Sequence, residues 1–137
     1  MSIGVFRFID TMSFMPSSLE KLVDLLRLKN INKFEHTKRL GGENFELLCG
    51  KGVYPYDYMD SSIRLGDIHL PKKEDFHSAL TGKSISDADY LRAGHIWAVF
   101  QCESLSDYTR LYCRSDTHLL ADVWHNFTQV HCFFNNM

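Results

Sequence analysis

The chain has 137 residues, of which 45% are hydrophobic, and its formal net charge is -2. This length supports one modest hydrophobic core and is too short for two full domains. The balanced charge excludes the strongly basic surface with which self-sufficient nucleic-acid binders attract phosphates, so any contact with DNA must be local. No long apolar run occurs, so we expect neither a secretory signal nor a membrane span, and the four scattered cysteines indicate reduced, intracellular thiols.

The first predicted elements are a β-strand and a helix. Large apolar residues alternate over Val5–Ile9 and the pattern stops at Asp10, which is typical of a strand. A single strand cannot fold alone, so we expect its neighbours to come from elsewhere and this end to be a cut edge. A capping-box pattern over Ser17-Ser18-Leu19-Glu20, followed by apolar residues at helical spacing, predicts a helix over Ser18–Leu28.

The middle of the chain predicts mostly loop. Glycines and a run of tyrosines mark residues 41–70 as a loop region, and Pro71 is expected to open a short helix that ends at Leu80. Capping boxes at Ser86 and Ser104 predict two further helices. We thus expect one partial domain over 1–137, with a strand and helix within 3–28, a loop region over 41–70 and a helical part over 71–134.

The last helix, from Ser104 to about Phe127 or beyond, carries an anomalous residue. Its apolar side chains form one arc at 100° per residue, and Asp116 lies at the centre of that arc. The arc comprises Leu105, Tyr108, Tyr112, Leu119, Leu120, Val123, Trp124 and Phe127. A carboxylate there must be protonated, paired or bound to a metal ion, because a buried unpartnered charge is unfavourable. Two structural alternatives stay open: a nearby helix kink, or a buried ion pair with Arg7 or Lys51.

The run Asp107–Phe127, which contains Tyr112-x-x-x-Asp116, resembles the third exonuclease motif of family B DNA polymerases. The similarity is greatest to the protein-primed branch found in phages, linear plasmids and large DNA transposons. Other segments resemble that branch in the same order: Phe8–Leu22 its strand and helix between the second and third motifs, Lys51–Tyr58 its lysine-bearing loop, and Leu70–Phe76 with Ile85–Tyr90 its spacer. Thr117-His118 and Trp124-His125 depart from the branch's usual residues.

The resemblance implies an α/β fold: a fragment of a ribonuclease H-like exonuclease domain, mostly helical here with one or two strands. It implies a DNA-directed DNA polymerase with 3′–5′ exonuclease activity, in which carboxylates hold two Mg²⁺ or Mn²⁺ ions. By the same resemblance Asp116 is a metal ligand and Tyr112 positions the attacking water or the scissile phosphate. Lys51 would neutralise charge on that phosphate, although an ordinary exposed lysine is an equal alternative.

The implied partner is the single-stranded 3′ end of DNA, with a terminal priming protein as a further candidate. Thr11 and Met12 match positions that contact this end in the family, or else they simply end a strand. Tyr54 and Tyr56 could stack on unpaired bases, although such tyrosines more often pack beneath a long loop.

Part of the family's site has no counterpart in this sequence. The first exonuclease motif needs Asp-x-Glu, and the nearest pattern, Asp87-x-Asp89, is better explained as a helix cap. Because one carboxylate cannot hold two metal ions, we expect the isolated chain to have neither exonuclease nor polymerase activity. The alternatives are an inactive relic, a helical interaction module without nucleic-acid chemistry, and a zinc site. The zinc ligands would come from Cys102, Cys113, His118, His125, His131 and Cys132.

Overall fold

The computed structural model describes residues 2–7 and 10–135, in which α-helices and 3-10 turns predominate. The helices are α1 (Leu19–Lys29), α2 (Glu35–Gly41), α3 (Asp87–Val99) and α4 (Leu105–Asn135). The strands are β1 (Ser2–Ile3) and β2 (Phe6–Arg7).

The predicted α/β class is wrong, because the only sheet in the described residues consists of these two strands of two residues each. β1 and β2 are antiparallel, with Ile3 opposite Phe6, and Gly4 adopts a φ of 60° in the turn between them. Val5, expected to begin a strand, belongs to that turn and is 96% exposed. Residues 8 and 9, the end of the predicted strand, lie outside the described residues. The turn at Val5 interrupts the alternating pattern, so five residues were too short a signal to fix the start of a strand.

Three helices begin within one residue of the predicted starts. The Ser18 hydroxyl accepts a hydrogen bond from the Lys21 N–H at 3.4 Å, so the cap of α1 lies one residue beyond the Ser17 of the predicted box. The Ser86 hydroxyl accepts one from the Asp89 N–H at 3.1 Å, as predicted. At the start of α4 the Asp107 carboxylate accepts hydrogen bonds from the backbone N–H groups of residues 103 and 104. The side chains that satisfy these first N–H groups lie within four residues of them, so the sequence predicts these helix starts well.

The segment between α1 and α3 differs from the prediction. α2 was not predicted, and the expected loop over 41–70 contains 3-10 turns at Gly42–Leu48 and Ser62–Gly66. The short helix predicted from Pro71 to Leu80 is reduced to one 3-10 turn over Lys73–Phe76. Beyond it Ser78 pairs with Lys83 around Gly82, whose φ of 64° favours glycine, so the chain reverses where a helix was expected to end.

α4 is the central element because it contributes to both hydrophobic clusters. Its second half supplies Leu119 and Val123 to a cluster with α1 and the following turns, which also contains Met15, Val23, Leu26, Phe34, Phe45 and Cys49. Its first half supplies Leu105 and Tyr108 to a cluster with Leu48, Ala93, Ile96 and Cys102. Asp116 therefore lies along the helix between the residues that build the two clusters.

Candidate functional site

Asp116 and Tyr112 lie one helical turn apart on α4, and both are partly buried. The Oδ1 atom of Asp116 is inaccessible to solvent and has no hydrogen-bond partner among the described residues. Burial raises the pKa of this carboxyl above its ordinary value of 3.8, while the charge of Lys51 and the hydroxyl of Tyr112 oppose the increase. Because buried oxygen atoms nearly always have a partner, the free oxygen of Asp116 needs an explanation beyond packing.

The apolar arc predicted Asp116 at the centre of the buried face of α4. The structure does not place it there. Over residues 105–132 of this helix, the buried residues are Leu105, Tyr108, Ser115, Leu119, Asp122 and Val123. Leu120, expected inside, is 38% exposed, and Asp116 lies beside this face. The predicted buried face is rotated about the helix axis relative to the observed one. Periodicity treats Ser115 and Asp122 as outward-facing polar residues, whereas both are buried.

The structural alternatives for Asp116 find no support in the described residues. α4 continues as an α-helix from Leu105 to Asn135, so no break in the helix accounts for the residue. Its carboxylate forms no ion pair within the described part of the chain, and Lys51 acts on it only through space.

Tyr112 is fixed by two tyrosines of the predicted loop. Its hydroxyl shares a hydrogen bond of 2.8 Å with the hydroxyl of Tyr56, and its ring stacks on that of Tyr54 at a centroid distance of 4.9 Å. Tyr54 is anchored in turn by a 2.9 Å hydrogen bond between its hydroxyl and that of Thr109. Burial, then the hydrogen bond with Tyr56, raises the pKa of Tyr112. Tyr112 is therefore a protonated phenol of fixed orientation at neutral pH.

The two supporting tyrosines differ in the surface they offer. One face of the Tyr54 ring is occupied by Tyr112, whereas Tyr56 is 62% exposed. The third tyrosine of the run, Tyr58, donates a 2.6 Å hydrogen bond to Asp67 and accepts one from Arg64. Tyr58 thus holds the loop itself together, and of the three tyrosines Tyr56 presents most of its surface to solvent.

Lys51 is exposed and lies beside this tyrosine cluster, because the next residue packs directly against Tyr112. A Cβ atom placed on Gly52 would lie only 3.0 Å from the Cδ2 atom of the Tyr112 ring. The absence of a side chain at Gly52 thus permits the close approach of the loop to α4. The fold therefore brings together Lys51, Tyr54, Tyr56, Tyr112 and Asp116.

Thr11 and Met12 lie elsewhere. They belong to a 3-10 turn over Thr11–Ser13, and Met12 is 59% exposed. The next residue, Phe14, packs edge-to-face against Trp124 at 5.7 Å, which places the turn beside the second half of α4. Trp124 is eight residues beyond Asp116, or about 12 Å along a helix axis. The described contacts thus do not join Thr11 or Met12 to the group around Asp116.

The most buried carboxylate is one that sequence reasoning missed. Asp122 is 1% exposed, and it accepts hydrogen bonds from the backbone N–H groups of His36 and Thr37 and from the Thr37 hydroxyl. All of its partners come from the start of α2, so no local pattern reveals them. Asp122 is therefore a structural carboxylate that joins α4 to the start of α2.

The described residues contain no cluster of side chains arranged to bind a metal ion. In residues 2–7 and 10–135, no three side chains of His, Cys, Asp or Glu come close enough to bind a metal. Asp116 offers one free carboxylate oxygen, which suits Mg²⁺ or Mn²⁺ as a single ligand and no more. The six candidate zinc ligands all fall within the described residues and do not converge.

The comparisons with protein-family models, with curated proteins and with solved structures give no significant match. Within the described residues no helix has both the length and the apolar character needed to cross a membrane.

Proposed function

We propose that this chain is part of the proofreading exonuclease region of a family B DNA polymerase, and that it contacts the single-stranded 3′ end of DNA. The observation that carries the proposal is the convergence of Lys51, Tyr112 and Asp116. The resemblance assigns these three residues to one reaction, and they come from two segments far apart in sequence. They meet around a carboxylate oxygen that has no partner among the described residues.

The three side chains offer complementary chemistry to a phosphodiester. Tyr112 is a protonated phenol at neutral pH, because the ordinary pKa of 10 already lies well above 7 and burial raises it further. Its hydroxyl can therefore donate a hydrogen bond to a phosphate oxygen or a water molecule. The exposed ammonium of Lys51 neutralises part of the phosphate charge. Tyr56 is largely exposed and shares a hydrogen bond with Tyr112, so its ring is available to stack on the terminal base.

Asp116 is proposed as one ligand of a Mg²⁺ or Mn²⁺ ion. In the family the other acidic ligands include an Asp-x-Glu pair, which the sequence does not contain. We therefore expect the isolated chain to bind DNA but not to hydrolyse it. Hydrolysis would require a protein that also supplies the missing carboxylates.

Fluorescence anisotropy of a 5′-labelled single-stranded oligothymidylate tests the proposal. We expect wild-type chain to bind, and Lys51→Met to reduce the slope of log affinity against log salt by about 0.7, the value for one contact with a single-strand phosphate. The exposed Lys83, replaced by Met, is the matched control and should leave the slope unchanged. Absence of binding at low salt, or equal effects of the two variants, would contradict the proposal.

A second pair of measurements addresses Tyr112 and catalysis. Tyr112→Phe keeps the ring and removes the hydroxyl, so we expect roughly tenfold weaker binding or more, as for loss of a hydrogen bond to a charged group. Incubation of the isolated chain with labelled DNA and Mg²⁺ or Mn²⁺ should give no shortened product. Degradation that Asp116→Ala abolishes would show instead that this chain holds a complete site.

A further inference from the structure

The loop that carries Lys51 is bound by one arginine of α3. Arg92 donates hydrogen bonds to the Leu47 carbonyl from Nε at 3.2 Å and from Nη2 at 3.0 Å. Its Nη2 also donates to the Gly50 carbonyl at 3.1 Å, and its Nη1 to the Lys51 carbonyl at 3.2 Å. One guanidinium thus binds three carbonyls at the end of the preceding 3-10 turn, where such groups lack partners within the turn.

Arg92 extends from a helix that packs into a hydrophobic cluster. It lies in the middle of α3, whose Ala93 and Ile96 are buried in the hydrophobic cluster shared with α4. A second arginine, Arg27 of α1, donates to the Cys49 carbonyl at 3.3 Å, so two helices hold the same turn.

Glycines on both sides of Lys51 bring the backbone close to its neighbours. A Cβ atom on Gly50 would lie 3.2 Å from Nη2 of Arg92, and one on Gly52 would lie 3.0 Å from the Tyr112 ring. Lys51 is therefore held between a contact with α3 and a contact with α4.

Lysine could not replace Arg92 in this arrangement. The planar guanidinium presents its donors in a fixed fork, which allows three carbonyls to be bound at once, whereas an ammonium is a compact charge on a flexible stem.

We infer that Arg92 is a positioning residue. It holds the Gly50–Gly52 backbone against Tyr112, and this places the backbone of Lys51 near Tyr112 and Asp116. The functional part of this inference, that Arg92 acts on DNA binding through Lys51, rests on the proposed function. The structural part does not.

The structural part is tested by nuclear Overhauser effects between the Gly52 Hα protons and the Tyr112 ring protons. We expect a strong effect in wild-type chain and in the control Arg39→Met, which removes an exposed arginine. The effect should be lost in Arg92→Met and weakened in Arg92→Lys. The lysine variant keeps the charge, and it provides the test if the methionine variant fails to fold. An undiminished effect in folded Arg92→Lys would overturn the inference.

The functional part is tested by a double-mutant cycle on the affinity for single-stranded oligothymidylate. We expect Arg92→Lys to weaken binding in the wild-type background, by no more than Lys51→Met does, and to have no further effect in the Lys51→Met background. If the two substitutions weaken binding additively, Arg92 does not act on DNA binding through Lys51. If wild-type chain binds no DNA while the Gly52–Tyr112 effect depends on Arg92, the proposed function fails and the positioning of the loop stands.

Discussion

Asp122 and Thr37 are joined by two hydrogen bonds between α4 and α2. The Oδ2 atom of Asp122 accepts one from the Thr37 backbone N–H at 2.9 Å and one from the Thr37 hydroxyl at 2.7 Å. Its Oδ1 atom accepts a third, from the backbone N–H of His36 at 2.8 Å. The carboxylate thereby caps the N terminus of α2, where N–H groups have no partner within the helix and negative charge is favoured.

Replacing Asp122 with Ala should lower the free energy of unfolding by about 3 kcal/mol or more, because charged hydrogen bonds are lost and buried donors remain. Asp122→Asn should cost less, since an amide oxygen still accepts from α2. Urea unfolding followed by circular dichroism measures both changes. Asp24→Asn, at an exposed position of α1, is the control and should stay within about 0.5 kcal/mol of wild type. A similarly small change for Asp122→Ala would refute the cap.

Replacing Asp116 with Asn should stabilise the chain at neutral pH. The pKa of Asp116 is raised in the folded state, chiefly by burial, so the folded chain holds this proton more tightly than the unfolded chain does. Its contribution to stability is thus present below the ordinary value of 3.8 and is lost as the pH rises through the folded pKa.

Urea unfolding of wild type and Asp116→Asn at several pH values measures this effect. The stability of the variant relative to wild type should increase as the pH rises from below 3.8 and then become constant. Glu43→Gln, at an exposed position, should show no such dependence. A variant less stable than wild type at pH 7 would mean that the ionised carboxylate has a stabilising partner.

Gly52→Ala should displace Tyr112. The added Cβ atom would lie 3.0 Å and 3.1 Å from two carbons of the Tyr112 ring, so we expect a loss of about 1–3 kcal/mol, typical of overpacking. Gly94→Ala is the matched change, because nothing lies within 4 Å of its Cβ position. In the interior of α3 it should stabilise the chain by roughly 0.5–1 kcal/mol. Thermal and urea unfolding distinguish the two, and equal effects would contradict the contact with Tyr112.

Alkylation should distinguish two classes of cysteine. Cys49 is buried, and burial raises the pKa of its thiol to about 12, so little reactive thiolate forms at neutral pH. Cys102 is also buried, whereas Cys113 and Cys132 are exposed. Mass spectrometry after brief treatment with iodoacetamide should find label on Cys113 and Cys132 in the native chain, and on all four after unfolding. Early labelling of Cys49 would contradict the packing around it.

Helix starts were predictable where the interactions that fix them are local. Ser18 and Ser86 each bond a backbone N–H three residues ahead, so a short sequence pattern contains the whole interaction. α2 was missed because its cap, Asp122, lies on α4. A helix of seven residues has little intrinsic stability, and only the folded chain brings this cap to it.

The sequence placed some of the predicted site residues near one another, but it did not reveal what holds them, and Thr11 and Met12 lie apart from the rest. Tyr112 and Asp116 share a flank of one helix by spacing alone, but the support of Tyr112 by Tyr54 and Tyr56 depends on how a loop folds back onto α4. Arg92 carried no signal in the sequence, because its bonds go to backbone carbonyls, which every residue possesses.

Site-specific photocrosslinking measures whether the group around Asp116 contacts a 3′-terminal nucleotide, as we propose. A single strand with 4-thiothymidine as its last 3′ nucleotide is irradiated with the chain, and the crosslinked peptides are identified by mass spectrometry. We expect crosslinks within residues 51–58 and 108–119, and weaker ones when 4-thiothymidine is moved to the 5′ end. Crosslinks confined to other parts of the chain, or equally strong for both ends of the strand, would refute the proposed contact.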